Sequence, residues 1–244
     1  MPFLNTYIII SGIFSGMRMH KKMLFIISLF FTCSSLASQK GISLDVTRVI
    51  FDSENDSVSF TVRNTSSDMV LLLRSTVGDY FSGDAKVPFF ITPPLNRIDA
   101  NNNVQFRINK LDSAMDLPKD RESLFAINVL AIPPEKESSS VQIGLNTRIK
   151  LIFRPHEINN KSLIEDLPEK LTFTKNTDGI EIKNPTPYFI TIGQMRVNGL
   201  LVENSATMLK PFSGTIVHEK NVKTLSFSII NDYGANSSIR NVTF

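Results

Sequence analysis

The residues that could do chemistry in this chain are few. Three histidines occur, His20, His156 and His218, with a single cysteine, Cys33, and no tryptophan. Asp120 and Glu122 flank Arg121. On a strand these two carboxylates would share a face, but a charged loop explains them equally well. There is no G-x-S-x-G, no glycine-rich phosphate loop and no metal-ligand spacing. The nucleophile–base sets that mark an active site are missing, so no enzyme activity, cofactor, metal or small-molecule substrate is expected. The net charge of +3 includes N-terminal lysines, and no nucleic-acid-binding pattern accompanies it.

The chemistry that remains is binding, and it centres on residues 141–155, VQIGLNTRIKLIFRP. Apolar or β-branched residues hold every second position: Val141, Ile143, Leu145, Thr147, Ile149, Leu151 and Phe153. Period two is one face of a strand. The opposite row is Gln142, Gly144, Asn146, Arg148, Lys150, Ile152 and Arg154. As one strand, 141–154 would reach about 46 Å at about 3.3 Å per residue, against about 5–6 residues for an ordinary strand. One small domain cannot cover that length, so part of the apolar row needs another partner. The Ser-rich loop 133–140 leading into it has no large apolar residue to offer.

The elements that must position this strand follow a leader. Lys21 and Lys22 precede the apolar run 23–31, and Ser35 and Ala37 sit at −3 and −1 of a cut before Ser38. This reads as a secretory signal peptide, preferred over a membrane anchor because the run is too short to span a bilayer. A lipoprotein cut before Cys33 is disfavoured by Thr32. A second apolar run at 7–14 suggests that translation starts at Met17, Met19 or Met23. Removing 1–37 takes the only cysteine and leaves roughly 200 residues, two domains of about 100. An exported protein without disulfides needs a sufficient apolar core, and 42% hydrophobic residues with 18 Phe would supply one.

Within 38–155, short alternating segments come at sandwich spacing. They lie at 42–50, with Arg48 interrupting the apolar row, and at 58–62, 89–92, 104–108, 125–129 and 141–154. The continuous run 70–73 suits a strand buried on both faces. Pro93-Pro94 must sit at an edge or corner. Residues 156–170 are mostly polar and read as a connection. Within 156–244, segments at 171–173 and 180–182 flank the hairpin signal Asn176-Thr177-Asp178-Gly179. Further strands are predicted at 189–195, 207–209, 225–230 and 239–243, with a turn at Asn231-Asp232-Tyr233-Gly234. The fold class is all-β, two immunoglobulin-like β-sandwich domains arranged around a cleft.

Seven stretches resemble the periplasmic pilus-assembly chaperones of the chaperone–usher family, the PapD-like proteins. They are Ile42-Ser43-Leu44-Asp45-Val46-Thr47-Arg48, Thr92-Pro93-Pro94, Asp120-Arg121-Glu122-Ser123-Leu124-Phe125, Ile132-Pro133-Pro134, residues 147–155, Asn184-Pro185-Thr186-Pro187-Tyr188 and Ile230-Asn231-Asp232-Tyr233-Gly234. The resemblance implies a chaperone that lends its long strand to incomplete pilus subunits and passes them to an outer-membrane usher. By match, Val141, Ile143 and Leu145 fill the subunit's groove, a burial of about 5–9 kcal/mol at most. Arg48 and Lys150 match the anchor for the subunit's terminal carboxylate, each contact contributing about 1.5–3 kcal/mol. Anchoring one end would also fix strand register. Glu122, Arg154 and Asp232 match a charge cluster between the domains.

Further expectations follow from the same resemblance. The brief loop 133–140 is similar to the short-loop subgroup, and the C-terminal disulfide of some members is absent. The protein is expected in the periplasm, with a self-capping dimer hiding the strand when free. The alternatives are a secreted two-domain adhesion module, for which sequons at Asn55, Asn64, Asn160, Asn236 and Asn241 could be cited, and an exported β-scaffold enzyme.

Overall fold

The computed structural model describes residues 41–135, 142–202 and 208–244. The predicted leader, Val141 and most of the preceding loop lie outside the described residues. Among the described residues, no helix is long and apolar enough to cross a membrane.

The first half forms nine short strands: β1 (Ile42–Leu44), β2 (Arg48–Asp52), β3 (Ser57–Asn64), β4 (Leu71–Asp79), β5 (Phe89–Thr92), β6 (Leu95–Ile98), β7 (Asn103–Lys110), β8 (Ser123–Ile132) and β9 (Leu145–Arg154). They make two sheets, β1-β3-β7-β5 and β2-β9-β8-β4-β6. Alternate residues of both sheets meet in one core that includes Phe51, Phe60, Val62, Leu73, Phe106, Ile127 and Leu151. Rings gather at one end, Phe89 lying 5.3 Å from Phe51 and 4.9 Å from Phe125. Each such side chain contributes about 1.5–3 kcal/mol. Asn64, fully buried, donates to the carbonyls of Met69 (2.7 Å) and Asp99 (3.2 Å) and pins the exit of β3. Its carboxamide is therefore not available for glycosylation.

Two local expectations are corrected. The row 42–50 is two strands in different sheets, since β1 pairs with β3 and β2 pairs in parallel with β9. Residues 70–73 are not buried on both faces: Leu71 and Leu73 are buried and Leu72 is exposed, because only one face of this sheet meets the core. Pro93, after a cis bond, stands at the corner between β5 and β6.

A connection follows Pro155. It holds a 3-10 turn, His156–Ile158, and two short helices the sequence did not signal, α1 (Lys161–Glu165) and α2 (Leu167–Lys170). Then come β10 (Thr172–Asn176), β11 (Gly179–Asn184), β12 (Ile190–Val197), β13 (Leu200–Leu201), β14 (Met208–Leu209), β15 (Ser213–Val217), β16 (Thr224–Ile230) and β17 (Arg240–Thr243). Their sheets are β10-β11-β15 and β13-β12-β16-β17, with β14 also on β12. The expected hairpin closes at Asn176↔Gly179. A second core includes Leu171, Ile180, Ile182, Tyr188, Ile192 and Phe227. The two sandwiches form one compact unit.

Candidate functional site

The parallel pairing of β2 with β9 decides the site. It sets Arg48 directly opposite Lys150, although the two are about a hundred residues apart. Both side chains reach the second sandwich. Arg48 Nη1 donates to the Ile230 carbonyl at 3.1 Å, and Lys150 Nζ donates to Thr191 Oγ1 at 2.6 Å. Arg48 is buried, and its Nε–H has no partner among the described residues. No ion pair to either cation is present among the described residues. Burial, then the neighbouring Arg48, pushes the Lys150 ammonium down to about 8. Burial likewise lowers Arg48, against the pull of Asp232 and Glu122. A buried Arg48 beside a half-buried Lys150, neither in a direct ion pair among the described residues, is costly to hold; the arrangement suits an anion supplied from outside.

Beside them sits a paired network. Arg154 donates from Nε to Glu122 Oε1 at 2.7 Å, and from Nη1 and Nη2 to the two oxygens of Asp232 at 2.7 and 3.0 Å. Glu122 Oε2 accepts from the Phe189 amide at 2.6 Å, and the Glu122 amide donates to the Pro187 carbonyl at 2.9 Å. Burial raises the Glu122 carboxyl to about 7, against the pull of Arg154. Glu122 and Arg154 belong to the first sandwich and Asp232 to the second, so one guanidinium ties the two together. Asp232 is held in the turn after β16, where Asn231 Oδ1 accepts from the Tyr233 and Ala235 amides. Gly234 has φ +83° there, and a Cβ on it would collide with Thr47. Only glycine satisfies both constraints.

The predicted long strand is shorter than 141–154. β9 starts at Leu145, opposite Ala131. β8 ends at Ile132, and the following Pro133 and Pro134 cannot donate to a ladder, so 142–144 lack a strand partner among the described residues. Ile143 is 80% exposed and Leu145 55%, while Ile149, Leu151 and Phe153 enter the core. On its other side β9 pairs with β2 only from Lys150 onward. That backbone edge of 145–149 has no strand partner among the described residues, and it ends at the cation pair. A cavity of about 630 Å³ between the sandwiches has Arg48, Arg154, Tyr188, Ile230 and Asp232 among its walls, and Lys150 is not one of them.

The structure thus brings together Arg48 with Lys150, and Glu122 with Arg154 and Asp232. It leaves Asp120 apart, paired with exposed Arg121. His156 lies by Asp52 and His218 by the Asp178 carbonyl, each exposed and away from any nucleophile–base set among the described residues. Sequence reasoning missed Thr191 and the Ile230 carbonyl, since nothing in the alternation of 189–195 marks one threonine.

These features define a two-sandwich β protein with a charged seam between its halves. Residues 41–159 match the family described as "Pili and flagellar-assembly chaperone, PapD N-terminal domain", and 166–241 match "Pili assembly chaperone PapD, C-terminal domain". The probable fimbrial chaperone LpfB of Escherichia coli O157:H7 is 35% identical over 218 residues, covering 86% of this chain and 90% of that protein. Among solved structures, the Salmonella enterica SafA pilin in complex with the SafB chaperone superposes with TM-score 0.76 at 26% identity, over 84% of this chain and 97% of that one. The Pseudomonas aeruginosa CupB2 chaperone gives 0.71 at 29% identity, over 83% and 100%. The chain belongs to the PapD-like family of pilus-assembly chaperones.

Proposed function

We propose that this chaperone captures fimbrial subunits in the periplasm by lending them β9, anchors their terminal carboxylate on Arg48 and Lys150, and delivers them to an outer-membrane usher. The observation that carries the reading is the cation pair at the end of an open strand edge. An incoming strand on the 145–149 edge lies in line with β2, and its last residue meets the cations where β2 begins. It then runs from the Leu145 side toward Lys150, parallel to β9. Ile143 and Leu145, exposed here, are placed to enter a subunit groove, and Val141 continues their row in sequence. Backbone pairing supplies affinity, and alternate side chains supply specificity. The carboxylate supplies register, because a one-residue slip would turn every side chain to the wrong face.

The test is co-expression with a fimbrial subunit from the same gene cluster, comparing wild type with Arg48→Ala and Lys150→Ala. Wild type is expected to yield a soluble one-to-one complex. Each substitution is expected to weaken it at least tenfold while the chaperone stays folded, as loss of a charge-assisted contact of about 1.5–3 kcal/mol requires. Complexes that survive both changes would reduce the cations to surface charge. When free, the protein covers its open edge by pairing with a second copy; light scattering that finds only monomer at high concentration rules this out.

A further inference from the structure

The two cations do not meet the second sandwich at random points. Arg48 and Lys150 are register partners on β2 and β9. Thr191 and Ile230, the residues they touch, are register partners on β12 and β16. One rung of the first sandwich is docked on one rung of the second, Arg48 on the Ile230 carbonyl and Lys150 on the Thr191 hydroxyl. The Ile230 carbonyl is backbone and would be present with any residue. Thr191 is the side chain that matters, and it is buried.

We propose that Thr191 is a positioning residue for carboxylate capture: its hydroxyl oxygen holds the Lys150 ammonium beside Arg48, so that both cations face one incoming carboxylate. The inference rests on the carboxylate-anchor reading. An ammonium on a four-carbon stem beside a like charge would turn toward water. Accepting one of its three N–H groups fixes it and leaves two for a ligand. The acceptor is neutral, which matters. An aspartate at 191 would form an internal ion pair and satisfy the cation that the ligand needs. A valine would leave it unheld. A β-branched hydroxyl residue also suits a buried strand. The second sandwich thereby becomes part of the anchor, although both cations belong to the first.

The experiment uses the full exported chain in four forms: wild type, Thr191→Val, Thr191→Ser and Thr191→Ala. The alanine variant guards against a valine that disturbs packing, and unfolding temperatures monitor all four. The first readout is the Lys150 titration, followed by NMR of lysine labelled at Cε and assigned with Lys150→Arg. Wild type is expected to titrate near pH 8, the valine and alanine variants lower, and the serine variant like wild type. The second is affinity for an alternating Val–Thr peptide ending in a free carboxylate, against its C-terminal amide. Wild type should prefer the acid, Thr191→Val should lose about tenfold of that preference, and Thr191→Ser should restore it. A valine variant with an unchanged titration and full acid preference overturns the proposal. A serine variant as impaired as valine also overturns it, reducing Thr191 to packing. Acid and amide bound equally by wild type would instead remove the carboxylate anchor itself, and the proposal with it.

Discussion

Lys150 carries opposite demands at the scale of one residue. Burial and the adjacent Arg48 lower its proton affinity, so that its charge is lost near pH 8. The proposed carboxylate anchor needs that charge, so affinity should fall as pH rises through about 8. Folding stability should move the other way. Between about pH 8 and the ordinary lysine range the unfolded chain binds the extra proton, so stability rises with pH across that window. Lys150→Arg keeps its charge throughout and should flatten both trends. Calorimetric titration with an acid-ended peptide from pH 7 to 9.5, beside urea unfolding at the same pH values, checks the pair of signs. Lys150 and Arg48 were legible in the sequence through the motifs around them. Thr191 was not, because its importance depends on which rung of β12 faces the other sandwich, and no spacing records that.

At the scale of the element, β9 is two half-strands in different surroundings. Ile149, Leu151 and Phe153 fill the core of their own sandwich, whereas Leu145 projects beyond it. Ile149→Ala should cost about 2–5 kcal/mol of stability. Leu145→Asp should change stability by no more than about 0.5 kcal/mol, yet abolish recovery of subunit in co-expression. Equal damage to both properties by both substitutions would erase the distinction. The alternation from Val141 to Phe153 was plain in the sequence, as was the excess of apolar length. Where the strand begins was not. That depends on β8 stopping at Ile132, before Pro133, a fact about the partner strand. The strands β6, β13 and β15 escaped for a related reason: they are short or weakly alternating edge pieces that form because a neighbour offers its backbone.

At the scale of the molecule, Arg154 bridges Glu122 of one sandwich and Asp232 of the other, and Phe189, Pro187 and Ile230 add backbone contacts across the same seam. Buried ion pairs are weak evidence for stability, because desolvation offsets attraction; their better-supported use is to fix geometry. Asp232→Ala should therefore lower stability by about 1.5–3 kcal/mol and broaden the distribution of interdomain distances. Spin labels on β3 and β11, measured by pulsed dipolar spectroscopy, would show the broadening, and a distribution as narrow as wild type would argue against an orienting role.

The sequence by itself determined the all-β class, the sandwich spacing and the apolar alternation of the strand around Lys150, because these follow from period two and turn residues. It also placed five charged residues through local motifs. Only the tertiary structure decided their partnerships. Arg48 meets Lys150 because β2 lies parallel to β9, Arg154 meets Asp232 because a glycine turn presses on Thr47, and Thr191 meets Lys150 because two rungs align. Each is a long-range contact fixed by strand register and domain packing, and the physics of a local segment contains neither.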